Sequence, residues 1–302
     1  MITRRAFLGA AAAAGGAGLS GRAIAEPFST MVTRYQLSPP RWPKGLGLKL
    51  AVIADLHACE PWMGLERIRR IVERTNALEP DCILLLGDYV AGEGIMRYAE
   101  PVAEKDWARA LGRLRAPLGV HAVLGNHDWW ADIEVQRRRY GRPVAGLALQ
   151  DAGIALYDNA SVRLQKDGAP FWLAGLGDQE AFWTVAARRR GQVNPFVGAD
   201  DLAGTLGQVR DDAPVILLAH EPDIFAQVPD RVALTVAGHT HGGQIRILGY
   251  APVVPSRFGN RYLYGHIVEE NRNLIVSAGL GCSGIPLRLG APPEIVMIEL
   301  AA

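Results

Sequence analysis

The chain predicts an α/β fold in which two packed β-sheets are flanked by helices. Three observations lead there: short apolar runs alternate with segments of helical periodicity, turn dipeptides separate paired runs in the middle, and further apolar runs continue to the C-terminus. A strand count of that size suits two sheets packed together.

Taken in order, the apolar run 48–53 ends in a polar cluster. Leu65, Ile68, Val72 and Thr75 then recur at helical spacing, and 82–86 forms a second run. A helix is expected over 107–114 and a third strand over 121–124. Runs that are apolar throughout suit strands covered on both faces, hence a largely parallel sheet. The runs 154–156, 162–164 and 171–174 are separated by Asp158-Asn159 and Asp167-Gly168, which predict hairpins. Strands are expected again at 215–219, 232–237, 274–277 and 295–300, with a helix near 202–209. No long repeat and no second boundary interrupts residues 48–302, which read as one domain.

Residues 26–47, with Pro27, Pro39, Pro40 and Pro43, read as an extended linker. Residues 1–25 read as an export signal. Paired Arg4 and Arg5 precede an uncharged Ala/Gly-rich stretch, and Ala23-Ile24-Ala25 supplies the small residues of a cleavage site after Ala25. The Thr3 to Leu8 arrangement resembles the twin-arginine signal, whose machinery carries folded proteins, so the expected location is the periplasm. The contrasting reading is a flexible alanine-rich helix with two solvated arginines. The apolar part is short for a transmembrane helix and no cysteine follows for lipid attachment, so stable membrane insertion is not expected.

The chain has 302 residues, 49% hydrophobic and 21% charged, with 32 basic and 31 acidic side chains and a net charge of +1. Nothing in that balance points to nucleic acid or to a polybasic membrane surface. Cys59, Cys82 and Cys282 are an odd number in a large chain and do not suggest a disulfide framework. Cys82 and Cys59 read as small core fillers, although Cys59, two residues beyond His57, has the alternative of a soft extra ligand or an oxidisable thiol.

The chemistry is visible in where the polar residues fall. Asp55-Leu-His57 follows the first strand, Gly87-Asp88 the second, and Gly125-Asn126-His127-Asp128 the third; His220 follows 215–219, and Gly238-His239-Thr-His241-Gly-Gly follows 232–237. In open α/β sheets ligands bind beyond the carboxyl ends of the strands, so five such clusters can converge on one site. Alone, Asp55 and His57 would read as a helix cap and a surface imidazole; five clusters in order make that reading untenable. The glycines before the ligands suit a chain that must turn off a strand and pass close to a metal.

In that order the clusters resemble the calcineurin-like metallophosphoesterase family: D-x-H, G-D, G-N-H-D, a lone His, then G-H-x-H. The likeness runs from about Leu48 to the C-terminus. The tail from Gly279 to Ile295 is similar to the exported phosphodiesterase branch, which also includes enzymes cleaving UDP-2,3-diacylglucosamine. The resemblance implies a four-layer αββα fold and two divalent ions, one held by Asp55, His57 and His241, the other by Asn126, His220 and His239, with Asp88 bridging. Imidazole, carboxylate and one amide oxygen without thiolate suit manganese, iron or zinc. Two cations about 3.5–4 Å apart can activate a water and clamp the attacking and leaving oxygens at phosphorus. His127 is left over and is expected to face the leaving group, with Asp128 fixing its tautomer.

The implied partner is a small phosphate ester. The sequence favours a phosphodiester, with Trp129, Trp130, Phe182 and Trp183 available as apolar walls, in contrast to a monoester that would want nearby cations. The alternatives are a UDP-2,3-diacylglucosamine-type pyrophosphate hydrolase, which an export signal disfavours, and a non-catalytic metal-binding module, which the intact ligand set disfavours. His121 and His266 read as structural, and the runs 137–139 and 188–190 as solvated basic faces unless they line the mouth of the site.

Overall fold

The structure is a computed structural model and describes residues 20–184 and 196–300. The twin-arginine motif at 3–8 and the basic run 188–190 therefore lie outside the described residues. Residues 20–25 are helical, and Arg288 N donates to Ala23 O.

Two six-stranded sheets pack face to face. The first runs Met31–Leu37, Glu294–Leu300, Leu48–Ile53, Cys82–Leu85, Val120–Ala122, Ala155–Leu156; the second runs Gly265–Glu269, Arg272–Val276, Val232–Ala237, Val215–Leu218, Ala169–Gly175, Ala160–Lys166. Most neighbours are parallel. Antiparallel pairs occur where Glu294–Leu300 meets Leu48–Ile53, and at the 265–276 and 160–175 hairpins.

Alternation along each strand builds the layers. In the first sheet Leu48, Leu50, Val52, Leu84, Val296 and Ile298 face the second sheet, where they meet Phe171, Leu173, Ile216, Leu218 and Val236. Their neighbours Ala51, Ile53, Ile83, Leu85 and Met297 face outward, onto Ile68, Ile71 and Val72 of helix Leu65–Asn76 and Trp107 and Leu111 of helix Glu104–Leu111. The second sheet covers its other face with Leu202, Leu206, Ile224 and Phe225. The result is helix, sheet, sheet, helix, as the sequence predicted. Runs apolar throughout are therefore buried on both sides rather than on one.

Three expectations need correction. Residues 26–47 are not simply a linker: Met31–Leu37 is a strand pairing in parallel with Glu294–Leu300, and Glu26 is buried with its Oε1 accepting from Ala291 N at 2.8 Å. The prolines at 27 and 39 flank 31–37, which contains none. Asp158-Asn159 is a crossover between sheets rather than a hairpin turn, because Ala155–Leu156 pairs with Val120–Ala122 while Ala160–Lys166 pairs with Ala169–Gly175. Of these two dipeptides, Asp167-Gly168, with φ of 51° and 82°, does close a hairpin. The helix near 202 stops at Leu206.

Among the described residues no helix is long and apolar enough to cross a membrane.

Candidate metal centre

Every proposed ligand lies just beyond the C-terminal end of a strand, and all seven come together. Asp55, His57, Asp88, Asn126, His220, His239 and His241 are buried. The backbone there is unusual: Asp55, His57, Asp88, His239 and His241 have φ of 52°, 46°, 55°, 67° and 53°. The left-handed region costs a side chain about 1–3 kcal/mol and collects at functional sites. The preceding glycines therefore do less turning than the sequence suggested. Gly87 does have a φ of 94°, but the need at Gly125 is for space, since a Cβ there would stand 2.4 Å from Asp88 Oδ1 and 2.7 Å from His220 Cε1.

Four donor groups meet here: Asp55, His57 and His241 form one and Asp88, His220 and His239 another, His57 and Asp88 join them in a third with His127, and Asp178 and Glu221 form a fourth with His220. His57 Nε2 faces His241 Nε2 at 3.0 Å, and His241 Nε2 lies 3.7 Å from Asp55 Oδ1. Across the centre, Asn126 Oδ1 is 3.2 Å from His220 Nε2 and 3.0 Å from His239 Nδ1. Asp88 Oδ2 stands 3.5 Å from His57 Nε2 and 3.3 Å from His220 Nε2.

This set fits a pair of metal ions. His57 Nδ1 donates to Val90 O at 3.0 Å and His220 Nδ1 to Leu86 O at 2.7 Å, so in each neutral ring Nε2 carries the lone pair. Those lone pairs then face oxygens that are also acceptors, an arrangement a cation resolves. Three of the four rings share this neutral tendency. Burial pulls His57 and His239 down to about 3 and holds His241 well below the usual range. Burial opposes charge on His220 as well, but the Asp88 carboxylate outweighs it and raises this ring well above its ordinary value. Asp88 correspondingly stays ionised, because His220 and His127 overcome its burial.

His127 sits at the edge and is only half-buried. Its ring meets His57 edge-on at 5.1 Å and Trp130 at 5.0 Å, while its backbone N donates to Asp88 Oδ1 at 2.9 Å. The expected contact with Asp128 is not made. Asp128 instead accepts from the backbone N–H groups of Asp88, Tyr89, Val90 and Gly125, at 2.9–3.1 Å. It is the third residue of helix Asn126–Trp130 and turns back to cap it, tying the Asp88 loop to the Asn126 loop. Asp128 builds the site without touching its chemistry.

The remaining candidates sort themselves. Trp129 and Phe182 belong to the core, whereas Trp130 and Trp183 lie tilted against each other with ring centroids 4.6 Å apart and Trp183 40% exposed. Cys59 is filler beside Ile95 and Cys282, with burial pushing its thiol to about 11. His121 binds Tyr157 Oη and Leu118 O, and His266 binds Asn273 Oδ1, both structural. Of the 137–139 run, Arg137 pairs with Glu134, while Arg139 donates to Trp183 O. Asp178 is a buried acid beside His220, and the sequence reading passed over its buried neighbour Glu221 and Arg288 behind His241. The only sequence signal for Arg288 was a charge inside an otherwise apolar, Gly/Pro-rich tail.

Comparison with known proteins agrees with this geometry. A family model described as Calcineurin-like phosphoesterase matches residues 48–243. The chain is 29% identical over 311 residues to the uncharacterized metallophosphoesterase YkuE of Bacillus subtilis (strain 168), covering 99% of this chain and 98% of that protein. It is also 29% identical over 307 residues to Phosphodiesterase YaeI of Escherichia coli (strain K12), covering 99% and 100%. A putative metallophosphoesterase of Caenorhabditis elegans, F40B5.2, is 30% identical over 261 residues, 84% of this chain, which spans about half of that protein, 48%. The chain thus belongs to the calcineurin-like phosphoesterase family, as a phosphoric ester hydrolase with residue groups suited to two metal ions.

Proposed function

We propose that this protein is an exported phosphodiesterase that cleaves one ester bond of a small phosphodiester. Asp55, His57 and His241 would hold one divalent cation and Asn126, His220 and His239 the other, with Asp88 shared. The observation that carries this is Asp88, whose Oδ2 faces a ring nitrogen of each group. When bound, the two cations supply Lewis acidity for in-line displacement at phosphorus by water. The chain does the rest: Val90 O and Leu86 O orient His57 and His220, and His127 is placed to give a proton to the departing oxygen.

The preference for a diester rests on the surroundings. Trp130 and Trp183 offer an apolar face on the His127 side, and Phe196 stacks on Trp130 at 4.8 Å. Arg137 and Arg139 are engaged elsewhere, and Arg288 is held behind a ligand by backbone carbonyls, leaving it facing away from incoming phosphate. A singly charged diester with organic arms suits such walls better than a doubly charged monoester. The relative named as a phosphodiesterase points the same way.

Export as a folded protein and cleavage after Ala25 are supported by the order of Arg4, Arg5 and the Ala23 to Ala25 segment. Replacing both arginines by lysine should leave the protein in the cytoplasm, and normal delivery of that variant would remove the twin-arginine reading. For the reaction, rates with manganese on an aryl diester, an aryl monoester and a UDP-linked pyrophosphate should rank the diester first. A clear preference for either of the others would replace this assignment.

A further inference from the structure

Beyond residue 243 lies a fully buried arginine that the ligand pattern does not include. Arg288 is 0% exposed and forms no ion pair with a carboxylate among the described residues. A buried guanidinium is tolerated only when its donors are satisfied, and here backbone carbonyls do so. Nε donates to Gly281 O at 2.9 Å, Nη1 to Ala291 O at 2.8 Å, and Nη2 to Ala278 O at 2.9 Å and again to Gly281 O. Nη2 also lies 3.1 Å from His241 Nδ1, on the side of the ring away from Asp55 and His57.

The loop this fork gathers is the one on which Asp55 rests. Leu280 N donates to Ala54 O at 3.0 Å and Gly281 N to Asp55 O at 2.6 Å. Gly279, at φ +66°, passes so close that a Cβ would stand 2.5 Å from Asp55 Cβ, and one on Gly281 would meet His57 Cβ at 2.9 Å. One rigid planar group therefore touches His241 directly and fixes the bed of Asp55 and His57. Of the opposite ligands, His220 and Asn126 are held by Leu86 O and by helix Asn126–Trp130, whereas His239 donates its backbone N to Asp55 Oδ1 and Oδ2 at 2.9 and 3.1 Å.

We propose that Arg288 is a positioning residue for one half of the centre, setting Asp55, His57 and His241 in register for their cation, while Asn126 and His220, the supports of the other cation, are held without it. The proposal rests on the two-metal reading above. A lysine supplies one compact charge and cannot hold three carbonyls and a ring edge together, so Arg288→Lys does not replace the fork.

The test is Mn²⁺ titration of the purified full chain, followed by electron paramagnetic resonance, for wild type, Arg288→Met and Arg288→Lys. Wild type should bind two ions with an exchange-coupled spectrum. In Arg288→Met one ion should weaken about ten- to a hundred-fold, the range seen when a ligand loses its support, while the other stays within about three-fold and shows an isolated-ion signal. Arg288→Lys should fall between. Far-UV circular dichroism confirms folding, and if the methionine variant does not fold the lysine variant decides by the same site selectivity. Two ions held as in wild type, equal weakening of both, or failure of both variants to fold would each overturn the proposal. Wild type binding fewer than two ions would overturn the two-metal reading itself and this proposal with it, so the two failures are told apart.

Discussion

Asp88 Oδ2 stands 3.3 Å from His220 Nε2, inside a centre where both residues are almost fully excluded from solvent. The same oxygen is 3.5 Å from His57 Nε2, so one carboxylate serves both groups of donors. Asp88→Asn keeps the shape but removes the charge that both cations would share. Metal content by elemental analysis should fall from two ions per chain toward none. His127→Ala should retain both ions and lose about a hundred- to ten-thousand-fold in kcat, the usual contribution of a positioned acid or base. If His127→Ala emptied the centre, its role beside the metals would be wrong.

Gly125→Ala should be severe for a small change. The new methyl would meet Asp88 Oδ1 at 2.4 Å and Asp88 N at 2.6 Å, and backbone cannot step aside cheaply. Overpacking of this kind costs about 1–3 kcal/mol, and here the displaced group is a ligand. Thermal melting with and without added manganese should show a lower Tm together with loss of the metal-dependent rise.

Asp128→Ala tests the corrected role of that residue. Four backbone N–H groups would lose their acceptor. At about 1–3 kcal/mol for each buried donor left without a partner, moderated by relaxation and water entry, a loss of at least about 3 kcal/mol in urea unfolding is expected. An Asp128→Ala protein of wild-type stability with a shifted pH–rate profile would restore Asp128 as the partner of His127.

Asp211 gives a pH prediction away from the centre. The Trp172 indole and Arg163 hydrogen-bond its carboxylate, at 2.7 and 2.8 Å, and lower its pKa from the usual value near 3.8. A carboxylate with a depressed folded pKa stabilises above its unfolded pKa, and the contribution disappears as pH falls through the folded value. The Tm gap between wild type and Asp211→Asn should thus be open at pH 5 to 7 and narrow as the pH falls below the ordinary carboxylate value of 3.8. The group is exposed, so the gap should also be small and shrink with salt. A gap that grew on acidification would contradict this.

The candidate ligand set was legible in the sequence because its signals are local. Each donor follows an apolar run, and a buried parallel strand must end where its chain can turn, so Asp55, Asp88, Asn126, His220 and His239 declare themselves by position. The four layers followed from the same runs. What escaped was non-local. The strand Met31–Leu37 owes its place to Glu294–Leu300, far away in the chain, and its own residues alternate only weakly. Asp128 was paired with His127 on adjacency, but neighbouring helical side chains diverge, and its carboxylate folds back onto four N–H groups from two loops.

The sequence by itself determined which atoms could bind metal and the order in which strands would present them, since residue type and periodicity are properties of the chain. The family resemblance implied which donors would share a cation, and only the tertiary structure set the distances among them, with Asp88 Oδ2 between ring nitrogens of His57 and His220. That structure alone placed left-handed backbone at the ligands themselves rather than at their glycines, and laid Arg288 behind His241. Those outcomes depend on distances between segments far apart in sequence, and they are fixed by packing and by the need to satisfy every buried polar group.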